Sequence, residues 1–267
     1  MGDNSSTDDS IGLVEKRFPY VKILRFDKNY GFCKGNNLCA KQSKGQYVVF
    51  LNTDTIVTKD WLKNLVSAVI NDKDVITAGS KLLKPFDVNG KKILDYAGGK
   101  ITYELNFYEG LYEYDNEAYS IQKYTGFGCG AAVIVDKNFF DSIGGFDEYY
   151  FGGGEEVELG LRVWQCGFKV LYVPSSVVYH IRYSSFKIVN NYATYAWSKS
   201  IFYFILKNYE KSNIVFYLCE NILFTMFPKL LIFLFKKDLN GFRGVLKGSF
   251  DFLSEIRKDG LLTRIYQ

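Results

Sequence analysis

Three groups of side chains in this sequence have the types and placement that chemistry needs. Asn52, Thr53 and Asp54 close the apolar run YVVFL, so a carboxylate stands at the C-terminal edge of a strand, where open α/β sheets place their ligands. Asp54 can meet a cation there, or simply begin a turn. Glu155, Glu156 and Glu158 follow Gly152, Gly153 and Gly154 and open a helix. The helix macrodipole favours carboxylates in a first turn for structural reasons alone, whereas glycines leave the loop before them free to approach a ligand. His180, the only histidine, follows the run LYVPSSVVY. A lone histidine is more often a packed or exposed residue than a ligand. Asp54 and His180 nevertheless end separate strands, as two ligands of one divalent ion must if they are to converge.

The elements that position these residues lie on either side of them. PYVKILRF at 19–26 is a short β-rich run, and GQYVVFLNTDT at 45–55 is apolar enough to be a buried parallel strand. Between them NYGFCKGNNLCAKQSKG reads as a glycine-marked loop opening into a helix. TKDWLKNLVSAVIND at 58–72 has a threonine cap, acid in its first turn and apolar residues at helical spacing. This order is that of an α/β domain. Residues 75–125 loosen into short strand-like pieces; a strand, a short helix from Lys137 to Ile143, a helix ending at Gly167 and the strand FKVLYVP follow.

At 267 residues and 48% hydrophobic, the chain can bury a full core. Its 33 basic and 29 acidic residues are too evenly matched for nucleic acid to be the default partner. Five cysteines without a C-x-x-C spacing point to free thiols in a reducing compartment, and the polar, acidic start MGDNSSTDDS is no signal peptide. After His180 the character changes. NIVFYLCENILFTMFPKLLIFLFKK at 213–237 is apolar nearly all round, yet Glu220, Asn221, Pro228 and Lys229 interrupt its centre. From Pro228 onward eight basic residues face four acidic ones. A helix pair lying in a membrane interface is the expectation, ahead of a spanning helix or a core or dimer contact.

Five blocks, in order, carry a resemblance: DNSSTDDS at 3–10, NYGFCKGNN at 29–37, VVFLNTDT at 48–55, GFGCGAAVIVDKNFFDSIGGFDEYYF at 126–151, and EEVELGLRVWQCG with His180 downstream. Together they resemble the family-2 glycosyltransferases, in the branch that includes rhamnosyltransferase-like enzymes, over roughly residues 3–210. The resemblance implies an α/β GT-A (Rossmann-like) fold: a mixed, mostly parallel sheet flanked by helices in residues 1–195, with a helical, membrane-associating extension in 196–267. It implies that Asp3 and Asn4 contact the nucleoside base, and that Asn29, Gly31, Asn37 and Asn52 border the nucleotide. Asp54 matches the metal-binding D-x-D, with Asn52 in place of its first acid, and His180 matches a histidine near diphosphate and metal. Glu156 falls on the base of the family's E-D pair, with Glu155 its neighbour, and GGFDE matches the acceptor-side loop.

The expected activity is a Mg²⁺- or Mn²⁺-dependent, inverting transfer from a UDP- or dTDP-type sugar to a glycan or lipid-linked hydroxyl, at the cytoplasmic face of the cell membrane. The Tyr-rich segment 103–124 is the expected acceptor region. The family's chain ordinarily carries a strand, a helix and a second strand before its D-N-x-S motif. Here Met1 stands almost at that motif, so the expectation is a missing strand–helix–strand, through a misassigned start, a cut chain or a degenerate copy. The competing reading is a non-catalytic relic that binds membrane or a partner. A nucleotidyltransferase would need a glycine- and lysine-rich phosphate loop near the N-terminus, which the sequence does not have.

Overall fold

The computed structural model describes residues 1–101, 106–182 and 192–258. It divides into two compact units, Met1–Lys100 with Tyr108–His180, and Ile101–Phe107 with Ile181–Gln267.

In the first unit, β1 (Gly2–Asp3) and β2 (Leu24–Arg25) form a short parallel pair, with α1 (Ser10–Arg17) between them in sequence. α2 (Gly31–Gln42), β3 (Tyr47–Leu51), β4 (Thr55–Val57) and α3 (Trp61–Ile70) follow. β5 (Val75–Val88) and β6 (Lys91–Tyr96) are joined by an Asn89–Gly90 turn in which both residues have positive φ. β7 (Gly99–Ile101) and β8 (Asn106–Tyr108) stand where the chain leaves this unit at Ile101 and returns to it at Tyr108, and β9 (Lys123–Thr125), β10 (Ala132–Asp136), α4 (Lys137–Ser142), α5 (Glu155–Gln165) and β11 (Lys169–His180) complete the order.

The main sheet runs β3-β10-β5-β11-β4, with β6 also on β5 and β9 also on β11. It is mixed, but less parallel than expected: β5 pairs with β11 in parallel, and β3, β10, β4, β6 and β9 all pair antiparallel. The two-residue Asn-Gly turn is one cause, because so tight a connection can only join antiparallel neighbours. β3, read as a parallel strand, is likewise antiparallel to β10. β5 and β11 are long enough to take two neighbours each along one side. β10 pairs with Thr77–Gly79 and β6 with the later part of β5; β9 pairs with Val170–Tyr172 and β4 with Val178–His180. The far ends of β5 and β11 therefore collect β4 and β6 around His180.

α3 covers one face of the sheet with Leu65, Ala68 and Val69, at helical spacing, against Val75, Ala78, Ile134, Leu171 and Val173. Thr58, the expected cap, instead donates its hydroxyl to Val177 O (2.8 Å), and α3 starts at Trp61. Val49 packs against that cluster, so strand alternation turns Phe50 to the opposite face, where its ring meets Phe140 and Phe146 at 5.2 and 4.8 Å.

The second unit contains α6 (Tyr192–Asn208), α7 (Ile214–Asn221), α8 (Phe227–Phe235) and α9 (Leu239–Lys258). α6 and α9 pack through stacked Phe202 and Phe252 rings (5.4 Å) and a Lys199–Glu255 ion pair of 2.6 Å. α7 and α8 are one continuous helix, Ile214–Phe235, joined by a π-helical turn at Ile222–Met226. This corrects the expected helix pair. Pro228 removes an N–H at the start of α8, and the wider turn before it takes up the misfit. The tail residues Asp259 and Arg264 lie outside the described residues.

Candidate active site

β4 pairs with β11 so that Thr55 lies opposite His180, which sets the preceding residue, Asp54, beside the imidazole. Asp54 Oδ1 is 3.4 Å from His180 Nε2, while His180 Nδ1 is 2.8 Å from Asp95 Oδ2. Asp95 comes from β6 and is wholly buried; its Oδ1 is 2.5 Å from the Nζ of Lys84, a buried residue of β5. A row of four alternating groups thus crosses the ends of β4, β11, β6 and β5. Burial alone would lower the His180 pKa, but hydrogen bonds and charge from Asp54 and Asp95 outweigh it and raise the value.

The donor set suits a divalent cation. A carboxylate oxygen and an imidazole nitrogen 3.4 Å apart would hold a Mg²⁺ or Mn²⁺ ion, which would supply positive charge to a diphosphate. Among the described residues no cluster of three or more His, Cys, Asp or Glu is arranged as a metal site, so two protein ligands are the set on offer.

The glutamates separate into three roles. Glu158 is bound by Arg162, at 2.9 and 2.6 Å, and Arg162 also donates to Ile143 O, so this pair anchors α5. Glu155 turns back to accept from the Gly153 N–H, and Gly154 at the cap has a φ of 96°, which a side chain rarely tolerates. Burial, then the neighbouring Glu156 charge, pushes the Glu155 carboxyl well above the usual carboxylate range. Glu156 is also buried. Its Oε1 accepts from the Tyr108 hydroxyl, and its Oε2 has no hydrogen-bond partner among the described residues. An orphaned buried carboxylate oxygen costs free energy unless a ligand supplies a proton donor.

β6 ties the two halves together. Asp95 faces His180, and the adjacent Tyr96 sets its ring 5.9 Å from that of Tyr108. Beside Asp54, the Asn52 N–H donates to Ala131 O at 3.0 Å, and the Asn52 carbonyl accepts from Thr55 Oγ1 at 2.6 Å. Gly130, next to Ala131, lies beside the Glu155 carboxylate.

The residues expected around a nucleotide are largely engaged in hydrogen bonds to backbone groups. Asp3 is buried and accepts from Ser6 N (2.9 Å). Asn4 accepts from Tyr30 N and donates to Gly31 O, and Asn29 accepts from Gly31 N. Gly31 has a φ of +77°, and a Cβ there would stand 2.6 Å from Phe151 O. Asn37 donates to Phe146 O (2.8 Å) and accepts from Phe146 N (2.9 Å), so its amide clamps the GGFDE loop. Of the expected acceptor segment, residues 103–105 lie outside the described residues.

A family model described as glycosyl transferase family 2 matches residues 1–143, more than half of the 267 residues. The chain belongs to glycosyltransferase family 2. A model described as the N-terminal domain of galactosyltransferase matches residues 113–192. Polypeptide N-acetylgalactosaminyltransferase 3 of Taeniopygia guttata is 26% identical over 193 residues, covering 67% of this chain and 31% of that protein. The chain thus spans about a third of that relative's length. The crystal structure of GalNAc-T7 with UDP, GalNAc and Mn²⁺ matches with a TM-score of 0.53 at 20% identity, over 67% of this chain and 36% of that one. The mannosyltransferase PcManGT from Pyrobaculum calidifontis, in complex with GDP-Man and Mn²⁺, matches with 0.54 at 12% identity, over 94% and 76%. At these identities the likeness is one of fold, the GT-A fold.

Asp95 and Lys84, which the structure places beside His180, were not among the residues expected from the sequence. Asp95 had a signal, an acid inside the apolar run ILDYA at a strand interior. Tyr108 lies in the Tyr-rich segment 103–124 expected at the acceptor, but nothing singled it out among the tyrosines there.

Proposed function

We propose that the chain transfers a glycosyl unit from a nucleoside diphosphate sugar to an acceptor hydroxyl, with inversion at the anomeric carbon and Glu156 as the base. The observation that carries this reading is the Glu156 carboxylate, oriented through Oε1 by Tyr108, with a buried Oε2 that accepts no hydrogen bond from the described residues. An acceptor O–H donating to Oε2 gives up its proton there as its oxygen bonds to the anomeric carbon and the carbon–diphosphate bond breaks with its electron pair on oxygen. Asp54 and His180 would hold Mg²⁺ or Mn²⁺, which when bound neutralises charge gathering on the departing diphosphate. The Mn²⁺ in the GalNAc-T7 and PcManGT structures supports that choice of ion. UDP or dTDP is the proposed carrier, and a glycan or lipid-linked hydroxyl the acceptor. The apolar helix Ile214–Phe235 supports a membrane location, proposed as the cytoplasmic face of the cell membrane.

The test is calorimetric binding of UDP, dTDP and GDP with and without Mn²⁺, followed by turnover of the matching nucleotide sugars. Glu156→Gln is expected to lower turnover by about 10²–10⁴-fold while nucleotide affinity is retained. Near-native turnover by this variant would remove Glu156 as the base. Nucleotide binding by the wild type without turnover on any acceptor would favour a non-catalytic protein.

A further inference from the structure

We propose that Asp95 is a positioning residue of the cation site: it holds the His180 ring with its proton on Nδ1, so that the Nε2 lone pair faces Asp54 and the cation. This rests on the reading of Asp54 and His180 as cation ligands. A neutral imidazole has one N–H and one lone pair, and a carboxylate acceptor 2.8 Å from Nδ1 draws the N–H to that side. Nε2 is left as the ligand atom, on the side that looks toward Asp54 Oδ1 at 3.4 Å.

The rest of the arrangement serves this contact. Asp95 is wholly buried in an apolar strand, where a carboxylate is costly without full pairing. Its second oxygen takes that pairing from Lys84 at 2.5 Å, and Lys84 Nζ also lies 4.9 Å from the centre of the Tyr112 ring. Strands β6 and β11 lie on the same central strand, β5, so ring and carboxylate are held by the sheet and not by a loop. A carboxylate behind a metal-binding histidine fixes the ring's orientation and raises its basicity, and losing such a partner typically costs 10–100-fold in metal affinity.

Because His180 is the only histidine, ¹⁵N-histidine labelling of the full chain reports its tautomer in a single pair of ring signals. At a pH where the imidazole is neutral, the wild type is expected to carry its proton on Nδ1. Asp95→Asn offers Nδ1 an amide donor instead, and is expected to move the proton to Nε2. The same variant, shown to be folded by circular dichroism, should bind Mn²⁺ in the presence of UDP about 10–100-fold more weakly, read by loss of the free-ion electron paramagnetic resonance signal. A wild-type proton on Nε2 overturns the proposal without any variant, which keeps it testable if Asp95→Asn fails to fold. Wild-type Mn²⁺ affinity in Asp95→Asn, with loss in Asp54→Ala, overturns the role of Asp95 and leaves the cation site standing. A folded wild type that binds no Mn²⁺ with UDP removes the cation site, and this proposal with it.

Discussion

Two neighbouring carboxylates, both buried at the start of α5, cannot both be charged cheaply, and the structure loads the cost on Glu155. Burial and the Glu156 charge raise the Glu155 pKa in the folded state above that of the unfolded chain, about 4.3. Below that value the side chain is protonated in both states and costs nothing. As pH rises past it, the unfolded state releases the proton while the folded state keeps it, so stability falls until the folded pKa is passed. Each unit of the shift is worth about 1.4 kcal/mol. Glu155→Gln should therefore melt higher than the wild type at pH 7, by roughly 2–4 °C for each kcal/mol recovered, with the gap closing toward about pH 4. Scanning calorimetry at both pH values checks this. A variant that melts lower at both would mean that the contact with Gly153 outweighs the charge.

At the scale of elements, loops here are held by side-chain clamps, and Asn37 is the clearest one. It reaches from α2 to both backbone groups of Phe146, whose side chain is buried. Asn37→Ala would strand those groups, at about 1–3 kcal/mol each, so melting should fall by several degrees. UDP affinity separates this from the role implied by resemblance: a residue that touches the nucleotide would lower affinity with melting unchanged. The clamp shows why the site was only partly legible in sequence. Asp54, Glu156 and His180 stood out because chemistry restricts their types, and β3, α4, α5 and β11 because their apolar periodicity is local. Sheet order is not local. The antiparallel β10 between β3 and β5 depends on pairings roughly fifty to ninety residues apart, and the approach of Asp95 to His180, across β5, joins residues 85 apart in sequence. Only the Asn89–Gly90 turn announced the β5–β6 hairpin, and that signal was present to be read.

For the molecule as a whole, the open matter is what covers Ile214–Phe235. At 1.5 Å per residue its 22 residues extend about 33 Å, against about 30 Å of bilayer hydrocarbon. Only 11% of its apolar window is buried, and Phe224, Phe227 and Phe235 are 76%, 58% and 87% exposed. Exposure on this scale along one helix is unusual for a surface that meets only water. Lys229 is not among the solvated charges: its Nζ lies 3.5 Å from the centre of the Trp197 ring, which fastens α8 to α6. Lys236 and Lys237 follow the apolar stretch and are exposed, where anionic headgroups would meet them. The full chain is thus expected to float with vesicles of phosphatidylcholine and phosphatidylglycerol, and to stay bound in 1 M salt because apolar burial, unlike charge, is not screened. Exchanging Phe224, Phe227 and Phe235 for serine together should weaken flotation by roughly tenfold or more without lowering the melting temperature, since these rings protrude from the fold. Binding that is lost in salt by the wild type would assign the contact to the lysines alone. No binding to any vesicle would turn this face toward a protein partner and remove the membrane from the proposed setting of the reaction.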